Sequence, residues 1–415
     1  MLPARPRRVR LFAGCALLAL AIGSAAFPSL ALAQTAAGRL PAPASPQAVV
    51  QDVVYAPPPA STSTTTPEPP RAAALPPVAQ KFFAAVRANF AKWDLNHDGR
   101  LAREEIEIDM QDARITGEAA AALAALKIGA TQTDKLAETR AFAMSDIDEM
   151  ERTLREGRRL DANFLGYFYV GFKKLQDTPR ELFAQGLPHL TAMRQYFTSD
   201  CYFLSAVGAV AETNPTALVK LITPDNGGYV VRFPGQPAVR VLAPTDAEIA
   251  TYTAAKDGLW LSVLQKAYAF IRIRMEPKEA KTREPLDSVG FRLGSTNVME
   301  LFTGHPSRAI RLGAESPKGV TAPMVVQVRA ALRVAFRDRQ AVTASMNHHA
   351  YAITAYDPAT DRVTIHNPYN SAGFETLSED NKIRRTDDGF FTLTTAQFAG
   401  AFYYVRLEQG GRAGS

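Results

Sequence analysis

The sequence predicts an α+β fold in which an all-α module precedes a larger mixed domain. Three observations carry this. From Val78 to about residue 160, apolar residues recur at helical spacing, as in Phe82, Val86, Phe90 and Trp93. From about residue 165, helical patterns alternate with short β-branched runs: YVVRF, AVRVLAP, AYAITAY and RVTIHNP. Gly and Pro punctuate those runs almost to the C-terminus, as expected of an α+β domain. The 415 residues suffice for two domains and a sizeable core.

The N-terminus carries the three parts of a secretory signal. RPRRVR is a positive n-region, LFAGCALLALAIGSAAF an apolar h-region, and Ala31–Ala33 an A-x-A cleavage site. Residues 1–33 are therefore expected to be removed, with export to a secreted or periplasmic destination. No second apolar run is long enough to span a bilayer, so no membrane span is expected after cleavage. Residues 34–78, rich in Ala, Pro, Ser and Thr, lack the periodicity that repays ordering and read as a disordered linker. The net charge of +6 is largely local, since Arg5, Arg7, Arg8 and Arg10 fall in the first ten residues. Without a basic stripe or a recognisable module, nucleic acid is not an expected partner.

Residues 79–160 form the helical module. Within it, DLNHDGRLAREE matches the EF-hand pattern D-x-[DN]-x-[DN]-G-x5-E. Asp94, Asn96 and Asp98 take loop positions one, three and five. Gly99 makes the turn at six, Arg100 offers its backbone carbonyl at seven, and Glu105 supplies the bidentate carboxylate at twelve. This oxygen-only set suits Ca2+. Ala102 at nine cannot hold the usual bridging water, so modest affinity is expected. Residues 116–160 read as helical throughout, with a helix start at Ser145 and Asp148. A degenerate second hand is possible in 117–152, although GATQTDKLAETR lacks the ligand spacing.

Signal cleavage removes Cys15 and leaves Cys201 as the single thiol of an exported chain. Composition favours a buried, inert role, and so the partners must decide. Ser199 and Asp200 are capping types before an apolar helix that opens at Cys201, and a helix N-terminus lowers a thiol pKa. A nucleophilic thiol needs a base and a group to orient that base. His349 opens an alternating β-run about 150 residues after Cys201, close to the papain-type spacing. Asn367, on the next strand, is placed to fix the imidazole tautomer. His348 would face the opposite side of the strand.

These residues carry a resemblance. QYFTSDCYFLSA (195–206) resembles the calpain signature, HAYAITA its His-Ala-Tyr run and HNPY its Asn-Pro-Trp run. DGLWLSVLQKAYA (257–269), LGSTNVMELFTG (293–304) and DDGFFTLTTAQFAGAF (387–402) are similar to further calpain segments. The resemblance implies a papain-like, two-subdomain catalytic domain over 165–408 that hydrolyses protein or peptide substrates. It further implies Cys201 as nucleophile, His349 as general base and acid, and Asn367 as its orienter. Gln195, with the Cys201 N–H, would be the oxyanion donor. Trp260 and Tyr351 would pack. The chain departs from the family at Ser199, His348, Tyr369 and Asn370, and no catalytic group is lost. Two other readings stay open: a transglutaminase-like acyltransferase on the same fold, and an inactive calcium-binding surface protein. Oligomeric state is not legible.

Overall fold

The computed structural model describes residues 74–132, 141–275, 285–290, 298–316, 318–346, 349–369, 374–377, 383–386 and 388–410. All of them belong to one compact unit, Arg39–Ser415. The expected signal sequence, most of the expected linker, His348 and Asn370 lie outside the described residues.

The N-terminal helix α1 (Pro77–Trp93) buries Phe82, Val86, Phe90 and Trp93, the stripe its spacing anticipates. A loop leads to strand β1 (Arg100–Leu101) and helix α2 (Arg103–Asp109). Helix α3 (Gly117–Gln132) follows, then strand β2 (Phe142–Ala143) and helix α4 (Met144–Arg155). Unbroken helix was expected over 116–160. Instead β2 pairs antiparallel with β1, setting Leu101 opposite Phe142, both fully buried. The helix start also differs. α4 begins at Met144, and Asp146 satisfies the orphan Ala143 N–H at 2.7 Å. Glu105 does the same for Ala102 N–H at 2.8 Å, so the two halves of the module share one capping geometry. Asp148 faces outward to Arg87 at 2.7 Å.

Helix α5 (Phe164–Asp177) and the short strand β3 (Met193–Arg194) lead to helix α6 (Cys201–Thr213) and helix α7 (Pro215–Leu221). Strands β4 (Ile222–Asp225), β5 (Gly228–Val231) and β6 (Val239–Leu242) form a small antiparallel sheet. Helix α8 (Asp246–Thr251), strand β7 (Ala254–Ala255), which pairs with β3, and helix α9 (Trp260–Met275) complete this half. α3 carries alanine, leucine and isoleucine on every face, with Lys127 paired inside, and is buried over residues 120–130. It packs against α1, α2, α5 and α8. One core therefore runs from Phe82 of α1 through Phe168 of α5 to Phe203 of α6 and Trp260 of α9. The helical module and the thiol's helix share that core.

Helix α10 (Val298–Thr303) precedes strand β8 (Ser307–Arg311), helix α11 (Ala322–Arg337) and strand β9 (Val342–Met346). Strands β10 (His349–Asp357) and β11 (Arg362–His366), the hairpin β12 (Phe374–Leu377) and β13 (Ile383–Thr386), and strand β14 (Phe390–Thr394) follow. Helix α12 (Thr395–Ala401) and strand β15 (Tyr404–Glu408) come last. The main sheet is antiparallel, in the order β14–β11–β10–β9–β15–β8. Val328 and Leu332 of α11 and Phe398 of α12 build a second core with Ile353 and Val405 of the sheet. α6 packs against β9 and β10, bringing the two halves together. Gly208 instead permits the close approach of the segment leading into β3 to α6: a Cβ there would come within 2.3 Å of Leu190 Cδ1 and 3.0 Å of Met193 Cε.

Candidate functional site

Cys201 is the first residue of α6, and its side chain lies where the helix meets the start of β10. Its sulfur accepts the backbone N–H of Ala350, the residue after His349. The residue is 8% exposed. Burial pushes the thiol up to about 11; the Ala350 N–H opposes this, and the Asp200 carboxylate adds to it.

His349 Nε2 lies 2.9 Å from Asn367 Oδ1. The same oxygen accepts the Tyr369 backbone N–H at 3.1 Å. A backbone N–H only donates, so this atom of the Asn367 amide is its oxygen, and His349 Nε2 must carry a proton. The neutral ring therefore keeps Nδ1 as its basic nitrogen. Burial pulls His349 down to about 4, against the Asn367 hydrogen bond. Asn367 was expected on a strand but lies just past the end of β11. There its own N–H reaches Gly389 O at 3.0 Å, and it is fully buried.

Two aromatic rings hold the imidazole. Tyr369 stacks on it at 4.9 Å and 4°, and Tyr351 meets it edge-on at 4.7 Å and 87°. Burial raises both phenols above their ordinary range, and both lie within electrostatic reach of Cys201. Trp260 is fully buried and donates to Asp257 at 2.6 Å.

Gln195 is 2% exposed. Its N–H donates to Pro368 O at 2.7 Å, tying it to the segment that carries Asn367. One Nε2 proton goes to Thr198 O at 2.8 Å, leaving a second for another acceptor. Among the remaining histidines, His97 and His189 are exposed, His305 pairs with Glu408, and His366 packs on Phe390.

Asp200 differs from expectation. It occupies the N-cap position of α6 but makes no side-chain cap. Its carboxylate turns inward, accepting Thr253 Oγ1 at 2.8 Å and Gln265 Nε2 at 2.5 Å. Burial raises it to about 7, against those bonds and the nearby Lys174 ammonium. Lys174, buried and bonded to Tyr252 O at 2.6 Å, is driven well below its ordinary value by burial. Thr253, Gln265 and Lys174 escaped sequence reasoning, because nothing local to them signals a shared buried carboxylate.

The loop 94–105, which matches the EF-hand pattern in sequence, forms a tight turn. His97 and Gly99 take φ of 58° and 79°. Asp94 accepts the N–H groups of Asp98 and Gly99 at 3.1 and 2.9 Å, and Asp98 accepts that of Arg100 at 2.8 Å. Asn96 Oδ1 accepts Asp98 N–H at 2.8 Å, and Glu105 accepts Asn96 N–H at 3.1 Å. Among the described residues, no three His, Cys, Asp or Glu side chains form a ready-made metal cage. The donor set still fits a hard cation, provided that Glu105 turns from its N–H partners toward the ion.

No helix among the described residues is long and apolar enough to cross a membrane. No protein-family model matches the chain, and no curated protein matches it in sequence.

Proposed function

We propose that the chain is an exported, calpain-like cysteine endopeptidase of papain-like fold. It hydrolyses peptide bonds in protein substrates through a thioester on Cys201. The observation that carries this reading is the tautomer of His349: its Nε2 proton is committed to Asn367, whose oxygen is identified by Tyr369 N–H. His349 Nδ1 takes the Cys201 proton as sulfur attacks the scissile carbonyl. The developing oxyanion accepts from Gln195 Nε2 and from the Cys201 N–H at the helix start. The imidazolium returns the proton to the leaving amine. Water, deprotonated by the same nitrogen, then opens the thioester. Burial favours thiol and neutral imidazole over an ion pair before substrate binds.

Asp94, Asn96, Asp98, the Arg100 carbonyl and Glu105 would hold Ca2+. Bound there, the ion would supply structural restraint at the start of α2, remote from the reacting bond.

The burial of Cys201 favours a second reading, an inactive calcium-binding surface protein. Casein proteolysis by wild type and Cys201→Ala, with and without chelator, separates the two. Activity in wild type alone supports the protease; equal activity in both proteins refutes the assigned nucleophile. Absence of cleavage together with an alkylation-resistant thiol favours the inactive reading.

A further inference from the structure

Asp287 lies in the turn Pro285–Gly290, remote in sequence from both the calcium loop and the thiol. Its Oδ2 accepts Arg103 Nη2 at 3.0 Å and Lys127 Nζ at 2.6 Å. Lys127 and Arg103 also bond Glu107, at 2.5 and 2.6 Å. Arg103 and Glu107 sit on α2, two residues either side of Glu105. Lys127 and Glu107 are each 3% exposed along their side chains, so this is a buried ion pair.

The other side of Asp287 leads to the thiol by two routes. Its Oδ1 accepts Tyr252 Oη at 2.5 Å. The next residue, Thr253, donates to Asp200, which adjoins Cys201. The second route runs through the turn itself. Val289 O accepts Tyr202 Oη at 2.7 Å, on the other sequence neighbour of Cys201. Gly290 lies against Thr198 and Ser199, where a Cβ would meet them at 3.5 and 3.8 Å. Thr198 O in turn holds Gln195 Nε2. The Asp287 carboxylate thus joins the exit helix of the EF-hand loop to residue 200, and the turn it anchors reaches residue 202 and the oxyanion segment through its backbone.

We infer that Asp287 is a positioning residue for the Cys201 site, clamping the nucleophile and its oxyanion segment to helix α2. This inference rests on the protease reading above. Removing the clamp loosens the floor under Cys201 and admits water to a thiol now kept dry. The ionisable groups facing that thiol are Asp200, His349, Tyr351 and Tyr369, none of which the test alters.

The test is the pH profile of iodoacetamide alkylation at Cys201, followed on its peptide by mass spectrometry in the full chain. Asp287→Asn keeps the shape and removes the charge; Tyr252→Phe removes one hydroxyl and is the milder variant should the first fail to fold. Asp361→Asn, which breaks the sheet-side pair with Arg329 at 2.5 Å, controls for lost stability. The expected result is a profile midpoint at least one pH unit lower in both clamp variants. Alkylation at pH 7.5 should rise at least fivefold, with kcat falling more than KM changes. The control should move only in Tm. Profiles unchanged in a folded clamp variant, with Tm alone lowered, would overturn the inference. Because alkylation does not require turnover, a chain without protease activity would refute the protease reading while leaving the clamp measurable.

Discussion

The rings of His349 and Tyr369 are stacked, with centroids 4.9 Å apart and planes 4° from parallel. Tyr369 thus covers the imidazole with its ring while its backbone N–H identifies the oxygen of Asn367. One residue therefore shields the proposed base and fixes its tautomer.

Asn367→Ala removes the acceptor that orients His349. A misplaced catalytic group costs on the order of 10²-fold. The expected outcome is a kcat loss of that size with KM nearly unchanged, measured on a fluorogenic peptide. Full kcat in a folded variant would remove Asn367 from the mechanism.

Asp200 gives a signed pH dependence. Its folded value is raised to about 7, chiefly by burial, from an ordinary 3.8. The folded chain therefore holds this proton where the unfolded chain has released it. That contribution to stability is full below the ordinary carboxylate value and is lost as pH rises through the folded value. Asp200→Asn should gain stability relative to wild type between pH 5 and pH 8, read from urea midpoints. His349, whose lowered value acts in the opposite direction, is common to both proteins and cancels. A pH-independent difference between them would contradict the assignment.

Glu105→Gln retains a capping side chain at the third helical position but removes a ligand charge. Wild type is expected to bind Ca2+ with a dissociation constant of roughly 10⁻⁴–10⁻³ M. The variant should bind at least tenfold more weakly by calorimetry on the full chain. Equal heats in the two proteins would exclude this loop as the site.

The α+β class and the strands β5, β6, β10, β11 and β14 were legible in the sequence, because β-branched runs such as YVVRF and RVTIHNP stand out between turn residues. So was the apolar stripe of α1. The short pairing of Leu101 with Phe142 was not, because a two-residue strand has no period to detect and its partner lies far along the chain. The position of Asp200 was misleading for a different reason. Its residue type suits a helix cap, but Thr253 and Gln265 compete for the same oxygens from elsewhere in the fold. Asp287 carried no sequence signal, since its meaning depends on Arg103 and Lys127 arriving from another part of the chain.

The insertion of β15 between β9 and β8 has a consequence for the order of assembly. During synthesis β8 emerges early and waits with an unpaired edge until Tyr404–Glu408 arrives. β9, the hairpin neighbour of the strand that carries His349, waits on the same side. A chain interrupted before residue 404 would carry every proposed catalytic side chain and still present two open strand edges, inviting association with other chains. The last strand of the chain is thus the one that closes the facing edges of β8 and β9.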